Sequence, residues 1–138
     1  MEAARVDGFG ELHGVACPVD VGLLLALGIY SWASIALGFK ASNLTNRGIV
    51  GHGPYAFVRH PAYAAKNLAW WIGALPTLYL LYAMGNTRGL CYAVLALAGW
   101  STIYLLRAIT EERHLLLADN GYAQYMARVR WRFIPGVF

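Results

Sequence analysis

Two polar clusters in an otherwise apolar chain carry the residue types that chemistry needs. The first, RGIVGHGPYAFVRHPAY from Arg47 to Tyr63, is punctuated by Gly48, Gly51 and Gly53 and closes on Arg59, His60, Pro61 and Tyr63. Its glycines with Pro54 argue against a regular helix, and Pro61 suits the first turn of a helix that follows. A glycine-rich stretch entering a helix exposes backbone amides beside an electropositive helix end, so it can wrap a nucleotide closely. The spacing is not G-x-G-x-x-G and no strand pattern precedes it, which excludes a Rossmann-type dinucleotide site. Taken alone, the cluster admits blander roles: His60 could bond a backbone carbonyl, and Arg59 a lipid phosphate.

The second cluster is RAITEERHLL, Arg107 to Leu116. Arg107 and Glu111 are one helical turn apart and share a face, while Glu112 and His114 point elsewhere. As a surface ion pair the first two would contribute only ~0.3 to 0.5 kcal/mol. At the end of a membrane helix they could do more, the arginine offering its planar donor fork to an anionic group and the glutamate accepting from a cationic amine. Beyond lies NGYAQYMARVRWRFIPGVF, with Tyr122 and Tyr125 one turn apart and then Arg128, Arg130 and Arg132. The alternation in ARVRWRF reads as an extended or amphipathic segment on lipid headgroups, with Trp131 and Phe133 dipping inward.

The elements that must position these clusters are apolar helices. Hydrophobic residues make up 59% of the 138-residue chain and charged residues 13%, about half the roughly 25% charged content of soluble domains. Uncharged runs at 21–39, 67–84 and 89–106 match the ~20 residues needed to cross a hydrocarbon core. The expected fold is therefore all-α and polytopic, one domain with about three transmembrane helices. Pro76 falls inside the second run and should kink it. Gly85-Asn86-Thr87-Arg88-Gly89 reads as the turn of a tight helical hairpin.

A signal peptide is the competing reading of the first run, but Glu2, Asp7, Glu11 and Asp20 precede it, where a basic n-region belongs. Segment 40–66 carries Lys40, Arg47, Arg59 and Lys66 without an acid, and 107–138 adds further arginines. Both should lie on the cytoplasmic side, with the acidic 1–20 and Arg88 outside. The net charge of +4 is interleaved with membrane-length runs, so anionic lipid rather than nucleic acid is the expected neighbour. Cys17 and Cys91 give neither a disulfide framework nor a metal-ligand spacing.

GPYAFVRHPAY, EERHLL and YAQYMARVRWRFIPG together resemble the isoprenylcysteine carboxyl methyltransferase family and, more loosely, the membrane phospholipid methyltransferases. The resemblance runs from about Lys40 to the end of the chain. Ala65 stands where a glycine is common, and the chain has fewer spans than typical members. The resemblance implies S-adenosylmethionine as cofactor, held by Arg47, Gly48, Ile49, Val50, Tyr55, His60, Pro61, Ala62, Tyr63 and Glu111. Arg107 matches the arginine that faces substrate. Arg107 and His60 are thus the expected catalytic pair, and the acceptor is lipophilic, a carboxylate being favoured. An amine-bearing phospholipid or a thiol is the alternative acceptor, and a non-enzymatic lipid-binding scaffold the alternative from another class.

Overall fold

A computed structural model describes residues 3–38, 49–118 and 121–137, with side chains of the first helix described from Pro18 onward. Among the described residues the fold is all-α. Helix α1 spans Ala3–Leu37 with Pro18 inside it, α2 spans Pro61–Ala83 with Pro76 inside it, α3 spans Thr87–Leu117, and a short α4 spans Tyr122–Arg128. The linker from 49 to 60 is irregular apart from one 3-10 turn, Gly53–Ala56, as its glycines require. Helix α1 begins well before the uncharged run that announces it, because helicity does not end where hydropathy does.

Two helices, Pro18–Leu37 and Thr87–Leu117, are long and apolar enough by length and composition to cross a membrane. The third long helix, α2, falls short on composition, since Lys66, Asn67, Trp70, Trp71, Pro76 and three tyrosines dilute its apolar residues. The distribution of side chains reverses that of a water-soluble domain. Residues buried between helices are small: Ala26, Ala33, Ala65, Ala69 and Ala108. Large apolar residues face outward, Ile35 at 78% exposure and Leu95 at 66%. Small residues let helix backbones approach closely. The α1–α2 contact is of this kind: a Cβ on Gly22 would meet Ile72 at 3.3 Å, and one on Gly73 would meet Leu23 at 3.6 Å.

Helices α2 and α3 form the hairpin expected at 85–89. Gly85 turns the chain at φ +65°, and the Asn86 side chain accepts from the Gly89 amide at 3.0 Å, capping α3. Deeper in the pair, the Ser101 hydroxyl accepts from Trp71 Nε1 at 3.0 Å and lies 2.9 Å from both Asn67 Oδ1 and the Leu97 carbonyl. This polar rung joins α2 to α3 inside an apolar setting, where unsatisfied polar groups are costly.

Helix α4 docks on the linker. Tyr122, Tyr125 and Val129 are buried together with Ile49 and Leu115 against them, and the Tyr125 hydroxyl donates to the Tyr55 carbonyl at 2.7 Å. The linker in turn packs Val50 and Tyr55 onto Ala33 of α1. Burial, reinforced by the charge of Glu111, pushes the Tyr55 phenol up to about 12. Burial with Tyr55 nearby does the same for Tyr125, also to about 12.

Replacing Ala33 by Leu should overpack the α1–linker contact and lower stability by about 1 to 3 kcal/mol. Ile35→Leu, on the outward face, should leave the melting temperature in detergent unchanged. Between pH ~10, where free tyrosine ionises, and about 12 the folded chain retains phenol protons that the unfolded chain has lost. Stability should therefore fall as pH rises through that window. Tyr125→Phe should flatten this slope when melting temperature is followed against pH.

Candidate active site

The first polar cluster is shaped by local constraints. Gly53 adopts φ +60°, and a Cβ there would lie 3.4 Å from Ala36 and 3.5 Å from Trp32 Nε1, so the linker passes α1 where only glycine is comfortable. His60 is the N-cap of α2 and Pro61 its first residue, a position that needs no amide donor. The amides of Arg59 and His60 donate instead to the carbonyls of Trp131 and Arg132, at 2.8 and 2.9 Å. The carboxyl-terminal segment is thereby tied to the mouth of α2.

Glu112 gathers these strands into one centre. It is only 3% exposed. Its Oε1 accepts from His60 Nε2 at 3.2 Å and its Oε2 from Arg132 Nε at 2.9 Å. Arg59 Nε stands 3.1 Å from Oε1, close enough for an ion pair, but not aligned for a hydrogen bond. A carboxylate this deep is costly unless opposite charge and donors surround it, and here two guanidinium groups and an imidazole do so. Glu112 thus joins the linker, α3 and the tail at a single point.

One residue earlier on α3, Glu111 faces a different partner. The Tyr63 hydroxyl donates to Glu111 Oε2 at 3.0 Å and accepts from Arg107 Nε at 3.1 Å. The Arg107 guanidinium lies 5.9 Å from the Tyr63 ring centroid, and the His60 ring stacks on Tyr63 at 5.5 Å and 2° between planes. Phe133 tilts against the other side of His60 at 5.8 Å. Burial first, then the charge and hydrogen bond of Glu111, raises the Tyr63 phenol above its ordinary value, with Arg107 opposing. Among the described residues, the terminal nitrogens of Arg107 and Oε1 of Glu111 take no hydrogen bond, so a donor fork and a carboxylate that share the Tyr63 hydroxyl each keep an open end.

The residues expected from the sequence are placed as follows. His60, Tyr63, Arg107 and Glu111 converge on one nook, half-buried or exposed at its Arg107–Glu111 side. Pro61 is buried at the head of α2, and Ala62 packs on the cluster of Ala33, Val50 and Tyr55. Ile49 packs on Tyr122, Tyr125 and Val129, so Ile49, Val50 and Tyr55 have their side chains in packing contacts beside the nook. Arg47 and Gly48 lie outside the described residues. Trp131 contributes a carbonyl while its side chain is 38% exposed.

Sequence reasoning missed the Arg59–Glu112–Arg132 grouping. Its signal was the doubled pairs Arg59-His60 and Glu111-Glu112. Adjacent residues on a helix point about 100° apart, so one glutamate must serve a partner that the other cannot reach.

Residues 22–117 match the family model for the isoprenylcysteine carboxyl methyltransferase (ICMT) family. No curated protein and no solved structure matches the chain. The matched region covers the last part of α1, the linker and the whole α2–α3 hairpin, and it ends just beyond Arg107, Glu111 and Glu112. The chain belongs to the isoprenylcysteine carboxyl methyltransferase family, an assignment that supports S-adenosylmethionine-dependent methyl transfer to a lipophilic acceptor as its function.

Proposed function

We propose that the protein is a three-span membrane methyltransferase that joins S-adenosylmethionine to a lipophilic carboxylate at the cytoplasmic face. The observation that carries this reading is the Tyr63 hydroxyl, which bonds both Arg107 and Glu111. It brings the glycine-rich cluster and the end of the last long helix to one place. Segments 21–39, 67–84 and 89–106 cross the bilayer, with aromatic residues of α2 at its boundary. Helix α3 has 31 residues, about 46 Å at 1.5 Å per residue, against a hydrocarbon core of ~30 Å. Its last turns, with Arg107, Glu111 and Glu112, therefore extend into the interface.

The donor set suits the cofactor. Glu111 offers a carboxylate oxygen to the amino group of an amino acid moiety, His60 and Tyr63 offer stacked ring faces and polar edges, and Arg47 and Gly48 are carried over from the family resemblance alone. Bound there, S-adenosylmethionine supplies a methyl group on a sulfonium that is already an activated leaving group. A carboxylate acceptor is ionised at neutral pH and needs no general base. What the protein then contributes is alignment and exclusion of water, for which positioning alone can supply ~7 to 11 kcal/mol. Arg107 holds the acceptor oxygens with its free donors. His60 contributes its stacked ring and the tether of its Nε2 to Glu112, which fixes the head of α2.

Amine or thiol acceptors would need a proton removed. His60 Nε2 is engaged by Glu112, and Glu111 Oε2 by Tyr63. The open donors of Arg107 favour a carboxylate, which needs no base.

The reading is tested on detergent-solubilised protein by saturation with labelled S-adenosylmethionine, competed by S-adenosylhomocysteine, followed by methyl transfer to prenylated carboxylic acids, phospholipids and thiols. Absence of saturable, competed binding would remove it. Arg107→Ala should cut turnover at least about tenfold, equivalent to ~1.4 kcal/mol, while cofactor affinity changes by less than about threefold; equal loss of both would refute the division of roles. Glu111→Gln should weaken cofactor binding without moving the melting temperature. Glu112→Gln should do the opposite first, lowering stability by about 3 kcal/mol because buried cations lose their counterion.

A further inference from the structure

Lys66 lies one helical turn beyond Tyr63 on α2, and its ammonium stands among three rings from three different helices. Its Nζ is 6.0 Å from the Tyr30 centroid on α1, 5.7 Å from Trp70 on α2 and 5.7 Å from Tyr104 on α3. The box is itself braced: Trp70 meets Trp100 edge-on at 5.3 Å and Tyr104 at 5.4 Å. Among the described residues no carboxylate comes within ion-pair distance of Lys66 and no hydrogen bond takes up its donors. An aromatic face attracts a cation by ~0.5 to 1 kcal/mol where exposed and by ~2 kcal/mol where desolvated. They fix where the charge sits without cancelling it. An ionisable side chain partly enclosed by apolar groups at the end of a membrane span ordinarily finds a counter-charge, and nothing described in this chain provides one.

The box shares a wall with the site already described. Tyr104 is 5.4 Å from the Tyr63 ring, and Arg107 lies 5.9 Å from Tyr63. Two cations therefore flank one tyrosine pair, Arg107 at the interfacial end and Lys66 a turn deeper. A three-ring box is also the usual receptor for an organic ammonium; here the chain's own lysine fills it.

We propose that Lys66 is a specificity-determining residue that sets the charge of the acceptor: it attracts the anionic group, carboxylate or phosphate, of an apolar acceptor and turns away amine-bearing ones. The inference rests on the proposed acceptor side of the site near Arg107 and extends it to a second, deeper cation. Like charges brought together at a recognition surface cost affinity, and opposite charges left without competition supply it. Lys66 acts on binding of the acceptor and takes no part in moving the methyl group.

The test is equilibrium binding to the full chain in detergent, with no turnover required. The probes are a radiolabelled farnesyl thioether carboxylic acid, its methyl ester, farnesylamine, phosphatidic acid and inorganic phosphate. The acid should bind about tenfold tighter than its ester, a difference of ~1.4 kcal/mol, and the amine should bind more weakly than either. Lys66→Gln should reduce the acid-over-ester preference to less than about twofold, Lys66→Arg should retain it, and S-adenosylmethionine affinity should be unchanged in both. Competition by phosphatidic acid but not by inorganic phosphate assigns the subsite to anionic lipid acceptors as a class; competition by inorganic phosphate alone would overturn the proposal. So would a Lys66→Gln variant that keeps its melting temperature and its preference for the acid. If the preference depends on Lys66 but S-adenosylmethionine never saturates the protein, the methyltransferase reading falls and the anion subsite stands; the reverse pattern separates them the other way.

Discussion

The buried carboxylate of Glu112 is the constraint on which the rest of the polar end depends. Three segments that are remote in the chain meet at this carboxylate: the linker through Arg59 and His60, α3 through Glu112 itself, and the tail through Arg132. None of these charges would be tolerable at that depth alone. Once they are together, the amides of Arg59 and His60 can be satisfied by tail carbonyls, and the head of α2 has a fixed place. The orientation of Tyr63, one turn into α2, follows from that placement, and with it the meeting of Arg107 and Glu111.

Around this centre the molecule separates its tasks by helix face. Glu112 looks toward the linker and tail and holds them; Glu111, one residue away, looks toward Tyr63 and keeps an oxygen open. Arg107 and Tyr104 continue that second face toward the apolar region. The aromatic side chains along it form a continuous series, from Phe133 and His60 through Tyr63 and Tyr104 to Trp70 and Trp100. Flat, weakly polar surfaces of this kind present an apolar face with a polar edge.

Much of the frame was legible because its causes are local. The turn at 85–89 follows from Gly85 and Asn86, the start of α2 from Pro61, the irregular linker from its glycines, and the shared face of Arg107 and Glu111 from helical spacing alone. The shared side of Tyr122 and Tyr125 on α4 follows from their separation of one turn, whereas the burial of that side depends on the linker. What escaped the sequence depends on contacts between distant segments. No spacing rule links Glu112 to Arg59 and Arg132, and the rings about Lys66 come from three helices. The backward extension of α1 to Ala3 was hidden because the search for spans followed hydropathy. The apolarity of α2 was overstated by its lack of charge, since tryptophan, tyrosine, asparagine and proline are uncharged without being strongly lipophilic.

The rung formed by Trp71, Ser101 and Asn67 has a consequence for the polar end that it does not touch. A hydroxyl shared between two helices opposes slip and rotation of one rod on the other. Were α3 to turn by a single residue, either Arg113 would replace Glu112 among the cations of the linker and tail, or Thr110 would replace Glu111 beside Tyr63. The indexing of two adjacent glutamates is therefore set three turns away, by a serine.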